Sequence, residues 1–135
     1  MTTQNSQHIL VAEDDSMSRM LLEHQLKGLD GNYKLVLTES GDHALREIEK
    51  IGLENICVLI LDGNMPPGHD GPGLAEYVRT CESSLGIEPT PIIIQSADHT
   101  TYRRHQAPLN LRVFDKLQIK DDIMPYLRGI LNPQY

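Results

Sequence analysis

Two short apolar runs of this chain end on acid. HILVAED (His8 to Asp14) delivers Glu13 and Asp14, and VLILD (Val58 to Asp62) delivers Asp62. Runs this short and this rich in Val, Ile and Leu read as strands buried on both faces, and the helix-length segments between them call for a parallel sheet. Ligands of such sheets bind outside the carboxyl ends of the strands, so carboxylates from two strand ends are placed to converge. Carboxylates crowded together repel and resist ionisation unless a cation or a proton resolves the conflict. A hard divalent cation, magnesium, is the expected resolution.

Periodicity divides the rest of the chain into five strands and five helices. The strands are expected at His8 to Glu13, Tyr33 to Thr38, Cys57 to Leu61, Pro91 to Gln95 and Leu111 to Phe114. SMSRMLLEHQLKGL repeats Met17, Met20, Leu21 and Leu26 at helical spacing, and SGDHALREIEKIG does so with Ala44, Leu45, Ile48 and Ile51. Ser16 and Ser40 are candidate amino-terminal caps, and Gly28 and Gly52 candidate carboxyl-terminal ones. GLAEYVRTC, the polar ADHTTYRRHQ and IKDDIMPYLRGIL complete the set, with Pro125 expected to start or kink the last. This alternation is that of a flavodoxin-like, doubly wound (βα)5 fold with parallel strand order 2-1-3-4-5, in which strands one and three are neighbours and their acidic ends meet.

A chain of 135 residues suits one domain, 1–135, with its core over about 8–131. Its 39% hydrophobic and 23% charged residues are those of a soluble globular protein, and no apolar stretch approaches a membrane span. The polar start MTTQNSQH lacks the apolar centre of a signal peptide, which points to the cytoplasm. A formal charge of −7 argues against a nucleic-acid partner, because phosphate backbones need clustered Lys and Arg. Cys57 and Cys81 have no metal-knuckle or redox spacing, and Cys57, beside the VLIL run, reads as a core residue. His69, His99 and His105 read as solvated, and Arg103 and Arg104 as a solvated face.

Two further strands end in functional side chains: PIIIQSA delivers Ser96, and RVFDK delivers Lys116. The sheet edge then presents acids, a hydroxyl and an ammonium together with a metal-competent cluster. That is the inventory of a phosphoryl-transfer site: a cation to neutralise charge, an oxygen nucleophile, and donors for the equatorial oxygens of the transferred group.

With these residues in order, the chain resembles the receiver domain of two-component response regulators. The matching residues are Glu13 and Asp14, Asp62 with Met65-Pro66 and later Asp70-Gly71, Ser96 with Ala97, and Lys116. The stretch VAEDDSMSRMLLEHQL is similar to the start of receivers found in hybrid kinases and stand-alone regulators. The resemblance implies that Asp62 accepts a phosphoryl group from a phosphohistidine of a sensor kinase or histidine phosphotransfer protein. Glu13, Asp14, Asp62 and the backbone carbonyl of Asn64 would hold Mg2+, Lys116 and the Ser96 hydroxyl would bind phosphoryl oxygens, and Asn64, Ala97 and Asp98 flank the site where the lifetime is tuned. The output would be a changed surface of the fourth helix, fifth strand and fifth helix, read by a downstream effector or by a second copy in a phosphorylation-dependent homodimer. Such a chain is a signalling switch rather than a turnover enzyme. The carboxyl end LRGILNPQY adds no output domain, which leaves open a stand-alone regulator or a piece of a longer protein.

Three departures mark this chain. The proline that usually follows the family's lysine is replaced by Leu117. The aromatic switch residue is expected three positions before the lysine, where Val113 stands, with Phe114 one later, so either strand five carries a bulge or conventional aromatic switching is lost. The loop NMPPGHDGPG is one residue longer than the common spacing. These departures motivate the alternative of a phosphorylation-independent pseudo-receiver; intact Asp62 and Lys116 weigh against it. A phosphohydrolase using Asp62 would call for an acid where Asn64 stands.

Overall fold

The computed structural model describes residues 7–131. Residues 1–6 of the polar start read for a signal peptide and the last four residues lie outside that range. Five parallel strands form one sheet in the order β2-β1-β3-β4-β5: β1 Gln7–Ala12, β2 Tyr33–Thr38, β3 Ile56–Asp62, β4 Ile92–Ser96 and β5 Arg112–Asp115. This is the expected doubly wound topology. Strand limits differ from those read in the sequence by one residue at several ends, because Glu13 has already left the ladder while Asp62, Ser96 and Asp115 are still in it.

Each strand face has its own core. Leu10, Ala12, Leu59, Leu61, Ile92, Ile94 and Val113 pack under α2 (Gly41–Ile51) and α3 (Gly71–Leu85). Ile9, Val11, Val58, Ile60 and Ile93 pack under α1 (Ser16–Leu26) and the carboxyl-terminal helix. Burial on both faces explains the unbroken apolar runs. The Cys57 thiol donates to the His8 carbonyl at 3.3 Å, and burial pushes its pKa up to about 11, so it is a core residue and not a poised thiolate.

The helix ends show which sequence signals are used. Ser40 caps α2, its Oγ accepting from His43 N at 3.0 Å, and Gly52 closes the helix at φ 93°, a conformation open to glycine. At α1 the cap is Asp15 rather than Ser16, its carboxylate accepting from Ser18 N at 2.8 Å. Gly28 lies beyond the Lys27 cap and is not in the left-handed region. Of the expected stripe of α1, Leu26 is buried, together with Leu22, whereas Met17, Met20 and Leu21 are 63%, 64% and 56% exposed. Asp70 caps α3, which starts at Gly71 and not Gly73.

Two segments depart from regular helix. Residues 99–109 form α4 (His99–Tyr102), a 3-10 turn (Arg103–His105) and α5 (Gln106–Leu109), and none of these residues is buried. The final segment opens with a π turn at Ile119–Ile123 and continues as α6 (Met124–Leu131). Pro125 has no N–H to give, and the widened turn precedes it, with Met124 N–H reaching back to Ile119 O.

Candidate functional site

The carboxyl edge of β1 and β3 carries the acids. Asp62 is the last residue of β3, and Glu13 follows β1 with its backbone N–H still tied to Thr38 O at 3.0 Å. One carboxylate oxygen from each of Glu13, Asp14 and Asp62 lies within 4.8 Å of the others. Glu13 is fully buried, Asp62 is 6% exposed, and Asp14 faces solvent. The sequence-level convergence of these three residues is therefore met.

Lys116, immediately after β5, reaches into this cluster. Its Nζ lies 3.0 Å from Glu13 Oε1 and 3.7 Å from Asp62 Oδ2. Burial pulls its pKa down, but the Glu13 hydrogen bond and the charges of Asp62, Glu13 and Asp14 raise it above the ordinary lysine value. One ammonium does not neutralise the cluster. Burial first, then the Glu13 charge and a hydrogen bond with Glu13, push the Asp62 carboxyl up to about 7, against the pull of Lys116. A site that raises a carboxyl group this far is short of positive charge, and three hard oxygens at this spacing fit a hard divalent cation.

Glu13 is held from four directions. Besides Lys116, its Oε2 accepts from Asp15 N at 3.1 Å, its Oε1 from Gln95 Nε2 at 3.2 Å, and its backbone carbonyl from an Arg19 guanidinium N–H at 2.8 Å. Gln95 pairs in register with Asp62 across the β3–β4 ladder. Its Oε1 is buried without a partner among the described residues. Sequence reasoning passed over Gln95, although an amide inside the apolar run PIIIQ was a signal, since a buried polar group must find partners.

The other expected residues lie along the same edge but are not all drawn into the cluster. Ser96 ends β4, 8% exposed, and its Oγ accepts from Asp98 N at 3.0 Å. Ala97 and Asp98 are exposed in the turn that follows, where the Asp98 carboxylate accepts from the Thr101 hydroxyl at 2.8 Å. Asn64 is exposed at the start of the loop after β3. That loop folds back on α2, with Gly41 N bonded to Met65 O, Asp42 N to Pro67 O, and Gly71 N closing it on Gly63 O at 3.0 Å.

Phe114 does not stand where a switch aromatic at this edge would act. The β4–β5 ladder runs without a bulge from Ile93↔Arg112 to Ser96↔Asp115, so Val113 faces the α3 core and Phe114 the opposite one. There its ring lies 5.3 Å from that of Tyr126, with the Arg112 guanidinium over both. Of the two alternatives the sequence leaves, the bulge is absent, so Phe114 stays on the opposite face, because one residue along a strand reverses the face. The Leu117 departure is accommodated locally. Lys116–Gln118 forms a 3-10 turn in which the Leu117 N–H, which proline would lack, donates to Asp115 Oδ1 at 3.0 Å.

Tyr102, at the end of α4, is the aromatic that does reach this edge. Its ring packs on Gly63, the residue after Asp62. Partial burial and the charges of Asp70, Asp62 and Asp98 raise its phenol above the usual pKa, which keeps the hydroxyl neutral at pH 7.

No protein-family profile matches this chain, and no curated protein does. Solved structures do. The receiver domain of the histidine kinase CKI1 from Arabidopsis thaliana, in complex with Mg2+ and BeF3−, aligns at a TM-score of 0.75 with 24% identity, over 93% of this chain and 89% of that one. The Mn2+-bound response regulator Rcp1 gives 0.68 with 20% identity, over 91% and 90%. The Salmonella typhimurium response regulator RcsB gives 0.76 with 17% identity over 96% of this chain, which spans only 62% of that protein. Likeness at these identities is a likeness of fold: this chain has the fold of response-regulator receiver domains.

Proposed function

We propose that this chain is the phosphoacceptor receiver of a two-component or phosphorelay system, with Asp62 as the acceptor. The observation that carries this reading is the Glu13, Asp14 and Asp62 cluster within 4.8 Å, with the Lys116 ammonium already against it. An Asp62 carboxylate oxygen attacks the phosphorus of a partner's phosphohistidine. The P–N bond breaks, its electron pair stays on the imidazole, and an acyl phosphate forms on Asp62. Glu13, Asp14, Asp62 and the Asn64 carbonyl would hold Mg2+, which would supply charge neutralisation for the nucleophile and phosphoryl oxygens.

Lys116 moves from Glu13 toward a phosphoryl oxygen as a compact point charge. The Ser96 hydroxyl keeps its proton free while it accepts from Asp98 N, so it can donate to a second oxygen without breaking the turn. Ala97, Asp98 and Asn64 border the path by which water reaches the acyl phosphate. The chain catalyses its own phosphorylation and slow dephosphorylation and turns over no small substrate.

Partners follow from this reading. The donor is a sensor histidine kinase or a histidine phosphotransfer protein. It approaches past Asp14, beside which α1 exposes Met17, Met20 and Leu21. A downstream effector, or a second copy, reads the surface of residues 99–109, β5 and α6. No described helix is long and apolar enough to cross a membrane; we place the domain in the cytoplasm, with no nucleic-acid partner of its own.

The test is intact mass after incubation with Mg2+ and acetyl phosphate. One added phosphoryl group, lost in Asp62→Asn and without metal, is the expected result. Folded protein that binds Mg2+ yet gains no mass, after a check for rapid hydrolysis, would replace this reading with a phosphorylation-independent docking module.

A further inference from the structure

Gly63 leaves room for a ring. A Cβ built on it would lie 2.5 Å from Cε2 and Cζ of Tyr102 and 3.0 Å from Cδ2, closer than real side chains approach. Its backbone is fixed on both sides, its N–H donating to Gln95 O at 3.2 Å and its carbonyl accepting from Gly71 N at 3.0 Å. Gly63 does not have positive φ, so its backbone would accept any side chain. What makes glycine fit here is the Tyr102 ring.

Tyr102 matters to its own segment for a complementary reason. Residues 99–109 consist of two four-residue helices around a 3-10 turn, and Tyr102 and Leu109 are the hydrophobic residues of the segment that pack against the core. Leu109 is further anchored, its carbonyl taking a hydrogen bond from the Arg79 guanidinium at 2.8 Å. In the amino-terminal half, which also lies against the ends of β4 and β5 and holds the partly buried His99, Tyr102 is the hydrophobic side chain that packs on the core, beside the turn in which Ser96 Oγ receives Asp98 N.

We infer that Tyr102, seated on Gly63, is the side chain through which the state of Asp62 reaches residues 99–109. This deepens the proposed function and rests on it. A phosphoryl group adds volume and charge one residue from the seat, and the segment has little buried surface with which to resist a shift of the ring. The aromatic of β5 offers no such contact, because Phe114 packs in the opposite core. The phenol also feels the charges of Asp70, Asp62 and Asp98, so a change in charge there acts on it.

The experiment compares wild type, Tyr102→Phe, Tyr102→Ala and Gly63→Ala. Beryllofluoride with Mg2+ serves as the phosphoryl mimic, its binding is read by fluorine NMR, and amide hydrogen exchange is measured over residues 99–109. In wild type, and in Tyr102→Phe, which keeps the ring, the mimic is expected to change exchange there by about tenfold. Tyr102→Ala removes the ring and Gly63→Ala evicts it from the other side. Both are expected to bind the mimic and to lose most of that change. A full change retained in either variant, or no change in wild type that binds the mimic, overturns the inference and leaves Asp62 as acceptor. Failure of wild type to bind the mimic overturns both.

Discussion

One sheet edge carries two corners built in opposite ways. At the acidic corner Glu13, Asp62 and Lys116 stand on the ends of strands packed on both faces, and Glu13 alone receives bonds from Lys116, Gln95 and Asp15. At the hydroxyl corner Ser96 leads into a segment that buries none of its residues. On the proposed function, the contrast separates two demands: a charged cluster that must hold one geometry needs strand ends over-determined by packing, whereas a surface that must change needs elements at the low end of local stability.

Core truncation gives the largest contrast. Ile60→Ala, in the fully buried centre of β3, is expected to cost about 3–4 kcal/mol in urea unfolding, as large-to-small changes in packed strands do. Leu109→Ala, in the partly buried 99–109 segment, is expected to cost only about 1 kcal/mol, since the site can relax. Equal costs would mean that the hydroxyl corner is as tightly packed as the acidic one.

A pH series examines the acidic corner from its charge. The Asp62 carboxyl sits at about 7 in the fold against 3.8 in the unfolded chain, so between these values the folded state holds a proton that the unfolded state has released. Its contribution to stability is therefore complete below pH 3.8 and lost as pH rises through about 7, a fall of about 2–4 kcal/mol in the absence of metal. Asp62→Asn, or saturating Mg2+, is expected to flatten the fall in urea titrations between pH 4.5 and 8. A flat wild-type profile without metal would show that the cluster is not short of positive charge.

Lys116→Met probes the same shortage from the other side. Removing the ammonium leaves buried Glu13 with neutral donors only, and the expected loss at pH 7.5 is about 1–3 kcal/mol, less than for a fully buried pair because Lys116 is 19% exposed. Mg2+ is expected to restore more stability to this variant than to wild type, as read from unfolding midpoints with and without metal.

The contrast also explains what could be read in the sequence. Strand order and the meeting of Glu13, Asp14 and Asp62 were legible because apolar runs lead directly into the acids, and a parallel sheet brings strand ends together by rule. The role of Gln95 was not, since it meets Glu13 only because it pairs with Asp62, and the side taken by Phe114 stayed open between two alternatives until the ladder showed that β5 continues without a bulge. The packed stripe of α1 was legible at Leu26 but not at Leu22, because Met17, Met20 and Leu21 fit helical spacing to Leu26 as well as Leu22 does. The broken 99–109 segment gave no periodic signal, having few apolar residues to repeat.

The smallest expected effect compares two aspartates that each precede a helix. Asp70 caps α3 in full, with extended backbone at φ −79° and ψ −177° and its carboxylate accepting from Gly73 N at 2.8 Å. Asp98 precedes α4 at φ −101° and ψ 52°, and its carboxylate takes the Thr101 hydroxyl rather than a backbone N–H. Asp70→Ala is expected to cost about 1 kcal/mol in urea unfolding, the usual loss of a cap, and Asp98→Ala only a few tenths, about 0.3 kcal/mol. The two substitutions are expected to exchange rank in the lifetime of phosphorylated Asp62. Asp98 lies two residues from Ser96 and Asp70 holds the far end of the loop, so Asp98→Ala should change dephosphorylation more while stability hardly moves. If Asp98→Ala proves as costly as Asp70→Ala, its residue belongs to the rigid corner, and the division of the edge into a fixed half and a movable half fails at that point.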